Sequence, residues 1–182
     1  WARKVPPTFV FVLELLSSGG TVLRGRGVSL IELRVLGSLD LRGPGGEETL
    51  SVLTQLKRAT LLAYLAVAHP RGFHTRDKLT GLFWPGLDQE RARAALRQSL
   101  YTLRQPLGED LIRSRGTEEV GLDWERLWCD VIAFEEAIEQ DDPETALQLY
   151  RGDLLEGVFL SDCPDFDGAY MMSNLWEMTG YR

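Results

Sequence analysis

The sequence predicts an α+β winged helix-turn-helix domain followed by an all-α, tetratricopeptide-like helical domain, present in part. Three observations lead there. From Thr75 to Gly108 the chain reads as a short amphipathic helix, a tight Trp-Pro-Gly turn and a longer helix with an arginine-rich face, which is the sequence form of a helix-turn-helix. On either side of this unit the apolar period is two, so short strands flank the helices. From Trp124 onward the spacing is helical and the composition acidic. The boundaries that follow are 1–29 for an unassigned leader, 30–123 for the winged-helix domain and 124–182 for the helical domain, expected to be truncated.

The chain has 182 residues, of which 44% are hydrophobic and 26% charged, enough for one or two domains with real cores. No apolar run reaches the length of a membrane span, so no membrane partner is expected. Cys129 and Cys163 form no C-x-x-C, which fits a reducing cytoplasm rather than a disulfide scaffold. His69 and His74 read as a helix terminus and a loop residue, not as metal ligands. No cofactor is expected. The chain opens on Trp1 rather than Met, which gives the expectation of a fragment or a processed chain.

Net charge is −7, but its distribution is uneven. Residues 51–117 carry 11 Lys and Arg against 5 Asp and Glu, a net of +6. Residues 118–182 carry 3 against 17, a net of −14, and the first 50 carry 6 against 5. Only the middle of the chain suits a polyanion.

Taken in order, residues 1–29 faintly resemble a signal peptide, with Arg3-Lys4 before an apolar run to Leu16. Glu14 interrupts that run and no small-x-small site follows, so a disordered leader or an extra strand is expected. Ile31, Leu33 and Val35 alternate with Glu32 and Arg34, and Leu39 and Leu41 with Asp40 and Arg42, giving two strands. Gly43-Pro44-Gly45-Gly46 is a turn. Thr49 to Leu53 reads as a third strand. Thr54 then caps a helix to about His69, apolar nearly all round from Leu61 to Ala68 and so buried on most sides. Thr75 caps the next helix, with Leu79, Leu82 and Phe83 on one face, and Pro85 ends it.

Asp88 suits the cap of the long helix and Glu90 its first turn, while Pro106 and Gly108 stop it near Gln105. This leaves about 17 residues, roughly 25 Å. Ala92, Leu96, Ser99, Leu100 and Leu103 fall on one face, and Arg93, Arg97, Tyr101 and Arg104 on the opposite one. An exposed arginine row on such a helix suits the major groove, because a guanidinium fork pairs with guanine or phosphate. A merely solvated charged face is the competing explanation. Strands from Asp110 to Arg115 and Val120 to Asp123 make a hairpin, the wing, whose Arg113 and Arg115 face a backbone or solvent. Glu118 and Glu119 at its tip oppose deep minor-groove insertion. Val131, Phe134 and Ile138 mark a further helix. Asp142-Pro143 starts another, marked by Ala146, Leu147 and Tyr150, and the short linker makes the pair an αα-hairpin. Such a unit buries its apolar face only against neighbours, a surface that Leu154, Leu155, Val158 and Phe159 are placed to supply.

In these residues the chain resembles the antibiotic-regulatory-protein (SARP-type) activators, which join a response-regulator-like winged helix to a bacterial transcriptional activator domain. The matching features are Leu36-Gly37, Arg58 with the run Leu61 to Ala66, Asp77-Leu79, Leu82-Trp84-Pro85, and Arg91-Ala92-Arg93-Ala95-Leu96-Arg97. They continue through Leu100-Tyr101-Leu103-Arg104, Leu107-Gly108, Asp130-Val131, Phe134-Glu135, Leu149 to Leu155 and Asp162 to Phe166. They span about three quarters of the chain in one order. The resemblance implies a cytoplasmic activator that binds direct repeats in double-stranded DNA as a head-to-tail pair and contacts RNA polymerase. It implies recognition by residues 89–105 and a wing over Leu111 to Leu122. The family's Gly-Tyr pair in the wing is replaced by Glu119-Val120-Gly121, and the pattern departs again at Gly168 to Met172.

The expected function is therefore sequence-specific DNA binding with activation. The DNA-facing set is Lys57, Arg58, Arg91, Arg93, Arg97, Tyr101, Arg104, Arg113 and Arg115. The alternative is a protein-interaction module in which the acidic helical half binds a partner and the winged helix serves as a dimer or scaffold surface. An enzyme is not expected: the sequence has no Gly-rich phosphate loop and no Ser/His/Asp or Cys/His arrangement, and its paired carboxylates sit in acidic helix faces and turns.

Overall fold

The computed structural model describes residues 30–43, 50–53 and 55–163. The expected leader, most of the Gly-Pro-Gly-Gly turn, Thr54 and the segment after Cys163 lie outside the described residues. Strands β1 (Ile31–Arg34) and β2 (Asp40–Arg42) pair antiparallel, with Leu33 opposite Leu41. Both follow the alternation in the sequence: Ile31, Leu33 and Leu41 are buried while Glu32 and Arg34 are half-buried.

The third strand expected over Thr49 to Leu53 is instead a helical turn, α1 (Leu50–Leu53). Five residues that mix Leu and Val with Thr and Ser fit either state. Here the turn buries Val52 and passes directly into the next helix through the Gln55 N–H bond to the Val52 carbonyl, 3.0 Å. Helix α2 (Leu56–Val67) is buried without a break from Ala59 to Val67, as its apolar circumference demands. It belongs to a core shared by the strands and helices on both sides.

Next come β3 (His74–Thr75), α3 (Arg76–Phe83), α4 (Gln89–Leu107), β4 (Ile112–Arg115) and β5 (Glu119–Leu122). The three strands form a sheet in the order β3-β5-β4, all antiparallel. His74 is therefore a buried strand residue opposite Val120, not a loop residue. Gly121 lies under the backbone of Gly72, where a Cβ would come within 2.9 Å of the Gly72 carbonyl oxygen. This is a close approach that only glycine permits.

Residues past Trp124 do not turn helical at once. Leu127–Cys129 form a strand, β6, which pairs parallel with β1 at Ile31–Leu127 and Leu33–Cys129. Three residues are too few to show a period, so only the long-range partner reveals this strand. Helices α5 (Asp130–Glu139) and α6 (Pro143–Leu149) follow and pack together, with the Phe134 and Tyr150 rings 6.1 Å apart. Asp142 caps α6 through the Thr145 N–H at 3.1 Å.

The core runs across residues 123 and 124 without a break, from Ile31 to Cys163. Asp130, fully buried, accepts the N–H groups of Val35 and Leu36 at 2.9–3.0 Å and that of Val131 at 2.9 Å. The 153–156 segment returns to the same strand end: the Leu155 N–H reaches the Val35 carbonyl at 2.7 Å, and the Gly37 N–H reaches Asp153 at 2.9 Å. Both cysteines are free and buried, and burial pushes the Cys129 thiol up to about 12. Among the described residues no helix is long and apolar enough to cross a membrane.

Replacing Asp130 by Ala strands these buried donors and should destabilise the fold by about 3 kcal/mol, read as a lower urea midpoint with the cooperative slope unchanged. A second expectation concerns pH. His74 lies 5.6 Å from the Tyr64 ring and is buried with Nε2 unpartnered. Burial first, then Lys78, holds its pKa below the usual 6.5. The stability of the neutral ring is thus fully present above 6.5 and is lost as pH falls through the depressed value. Urea midpoints should drop on acidification below about pH 6.5, and the drop should be smaller in His74→Gln.

Candidate nucleic-acid interface

The helix-turn-helix is set by two caps and one apolar seam. Thr75 Oγ1 accepts the Lys78 N–H at 3.3 Å and starts α3. Asp88 Oδ1 accepts the Arg91 N–H at 2.9 Å and starts α4. Between them Trp84 ends α3, its N–H bonded to the Thr80 carbonyl at 2.9 Å, and Leu87 turns back onto the Trp84 carbonyl at 3.1 Å. Leu79 and Phe83 of α3 and Ala92, Leu96, Leu100, Leu103 and Leu107 of α4 are buried. That is the face the sequence assigns to the core, extended by one turn.

Helix α4 does not stop near Gln105. It includes Pro106 and runs to Leu107, 19 residues in all. A proline in the last turn forfeits only one intrahelical bond. The end is made instead by Gly108, at φ +91°, whose N–H bonds the Arg104 carbonyl at 2.8 Å.

The arginines of α4 divide into held and exposed. Arg93 donates to Asp77 Oδ1 at 2.8 and 3.2 Å and to Glu118 Oε2 at 3.3 Å. The Asp77 hydrogen bond, then its charge, raises the Arg93 pKa above its ordinary value. Arg104 turns back to the hairpin and donates twice to the Ile112 carbonyl, at 2.9 and 3.3 Å. Arg97 is exposed, Tyr101 is 56% exposed, and Arg91 is exposed beside Asp88 at 3.3 Å. With Ala94, Gln98 and Gln105, also exposed, Arg97 and Tyr101 form one stripe at spacings of three and four residues. Ala94, Gln98 and Gln105 were not picked out from sequence, although their spacing from Tyr101 carries the signal.

The other expected residues are placed as follows. Arg113 pairs with Asp123 at 2.5 Å. Arg115 pairs with Glu119 across the hairpin and lies 4.8 Å from the Phe73 ring centroid. The Arg115 hydrogen bond holds the Glu119 carboxyl below its usual range. Lys57 donates to the Phe83 carbonyl at 2.9 Å, pairs with Asp162 and lies 5.6 Å from the Trp84 ring, so its charge is engaged at the end of α3. Arg58 is half-buried on α2.

One residue absent from the sequence reading joins the group. Arg76, the first residue of α3, lies close enough to Arg93, Arg97 and Arg104 to feel their charge. No group of three His, Cys, Asp or Glu side chains suited to a metal ion occurs among the described residues.

Comparison with known proteins adds a fold. No protein-family model matches the chain, and no curated protein matches it in sequence. A solved structure shares its architecture. EmbR of Mycobacterium tuberculosis, in complex with a low-affinity phosphopeptide, superposes with a TM-score of 0.55 over 82% of this chain at 19% identity. At that identity the likeness is one of fold alone, a mixed arrangement of helices and small sheets. The chain spans 42% of the length of the EmbR chain.

The split among the arginines predicts different consequences for stability. Arg104→Ala loses both hydrogen bonds that tie α4 to β4 and should cost about 1–2 kcal/mol. Arg97→Ala, on an exposed face, should stay within about 0.5 kcal/mol of wild type. Urea titrations of the two variants check this.

Proposed function

We propose that the chain is a cytoplasmic, sequence-specific DNA-binding transcriptional activator without enzymatic activity. In this reading α4 enters the major groove, and the hairpin β4–β5 lies along the backbone beside it. Residues 30–123 carry DNA binding. Residues 124–182, a tetratricopeptide-like activator domain, contact RNA polymerase. This division is one of function, since packing is continuous across it. Direct repeats bound by a head-to-tail pair are the expected target.

The observation that carries the proposal is the exposed Arg97 and Tyr101 stripe on a capped 19-residue helix, in the part of the chain with the largest net positive charge. A likeness of fold to EmbR, a transcriptional regulator, supports it. Exposed arginines beside a small residue, Ala94, suit close approach to base edges. Arg93, Arg104, Arg113 and Arg115 take second place in base reading, because each already holds a carboxylate or a carbonyl. They border the groove and shape it.

The alternative interaction module has one observation of its own. Leu147 and Phe159, on the acidic half, are 75% and 78% exposed, an apolar offer to a protein partner.

Fluorescence anisotropy of a labelled duplex pool across a salt series separates the two. Wild type should bind with a slope of about one log unit of affinity per log unit of salt for each phosphate contacted. Arg97→Ala should lose about 1–3 kcal/mol at its preferred site. A folded wild type that binds no duplex at low salt overturns the DNA reading and leaves the interaction module.

A further inference from the structure

We propose that Arg76, with Arg97 and the Ser114 hydroxyl, seats a backbone phosphate of the nucleic acid where the start of α3, the face of α4 and strand β4 meet. The inference rests on the DNA reading above and adds to it Arg76, a residue outside both the arginine row and the wing.

Four guanidinium groups gather at this seam, and two of them are satisfied within the protein. Arg93 is held by Asp77 and Glu118, and Arg104 by the Ile112 carbonyl. Arg76 is not satisfied. Its Nη2 gives one long hydrogen bond, 3.3 Å, to Ser114 Oγ, and its buried Nε has no acceptor. A buried guanidinium N–H without a partner is costly, more so than a neutral donor. The nearby carboxylates give it no hydrogen bond: Asp77 and Glu118 both bond Arg93.

Burial first, then the charge of Arg104, lowers the Arg76 pKa, with Arg93 and Arg97 adding to the effect and Glu118 opposing it. The same crowding that disfavours the cation favours an incoming anion.

The main chain of Arg76 is fixed while its side chain is under-used. Its N–H bonds the Glu118 carbonyl at 2.8 Å, continuing the pairing of β3 with β5. The position also opposes ordinary helix logic. A cation in the first turn faces the positive end of the helix dipole, so Arg76 does not stabilise α3 by its charge. Thr75 already provides the cap. Ser114 and Arg97 are both exposed, so the Ser114 end of the Arg76 contact is open to solvent. A phosphate there accepts the Arg76 fork and the Ser114 O–H and neutralises Arg97, the arrangement that planar guanidinium groups favour with phosphate.

The test has two arms on the whole chain. In the first, the arginine Nε–H resonances are followed by NMR while inorganic phosphate is titrated against chloride at matched ionic strength. The Arg76 signal should move with phosphate only, and the shift should shrink in Ser114→Ala. Absence of a phosphate-specific shift overturns the seat. In the second, duplex binding is measured across a salt series. Arg76→Gln should lower the log–log slope by about one unit. Ser114→Ala, on an exposed strand position that leaves the fold intact, should weaken binding several-fold. An unchanged slope and affinity in both variants, with wild type binding duplex, overturns the seat and leaves the DNA reading standing. A wild type that shows the phosphate response but binds no duplex overturns the DNA reading and supports an anion seat with another occupant.

Discussion

A single buried carboxylate determines how the two halves of the chain meet. Asp130 is the first residue of α5, and its side chain accepts the amides just after β1, at Val35 and Leu36, as well as the N–H of Val131. An ionised carboxylate is an acceptor on every side, so it can terminate a strand and start a helix at once. Burial raises its pKa, and the three N–H bonds oppose that shift. The contact lies where β6, paired parallel to β1, passes into α5. The wing itself is held on the helix-turn-helix directly, by the pairing of β3 with β5 and by the Arg104 bonds to the Ile112 carbonyl.

The second constraint is electrostatic. The described part of the chain holds a cationic face beside abundant carboxylate, and local ion pairs join the two. Arg93, Arg113 and Arg115 each meet an acid on a neighbouring element, while Arg97 stays exposed. Ion pairs that water reaches contribute little to stability. Their effect is to fix where side chains lie rather than to stabilise the fold. A helix that binds a polyanion gains from this arrangement, because arginines already positioned lose less entropy on binding.

What the sequence made legible follows from what is local. The caps Thr75, Asp88 and Asp142, the all-apolar α2 and the core face of α4 are set by residues a few positions apart, and each stands where periodicity placed it. Strand β6 and the helical turn at Leu50–Leu53 were not legible, since a run of three to five residues takes its state from a distant partner. The site was half legible. Helical phase identifies Arg93, Arg97, Tyr101 and Arg104 as facing away from the core. It cannot show that Asp77 and Glu118 hold Arg93, that Ile112 holds Arg104, or that Arg76 of another helix completes the group, because all three facts depend on tertiary contacts.

The contact between the helical half and the helix-turn-helix shows how affinity and orientation are divided. Lys57 and the Cys163 thiol both donate to the Phe83 carbonyl, at 2.9 and 3.1 Å, at the last residue of α3 and beside the turn into α4. Lys57 also pairs with Asp162, whose carboxyl it holds below the usual range, and burial raises the Cys163 thiol. Asp162 is exposed, so this polar contact adds little free energy. Burial of Leu154, Leu155 and Leu160 contributes far more, about 2 kcal/mol for each side chain. The leucines hold the 154–163 segment on the core, and the polar groups fix its register against the turn. The end of α3 thereby becomes the point at which the acidic half touches the element that sets the angle of α4.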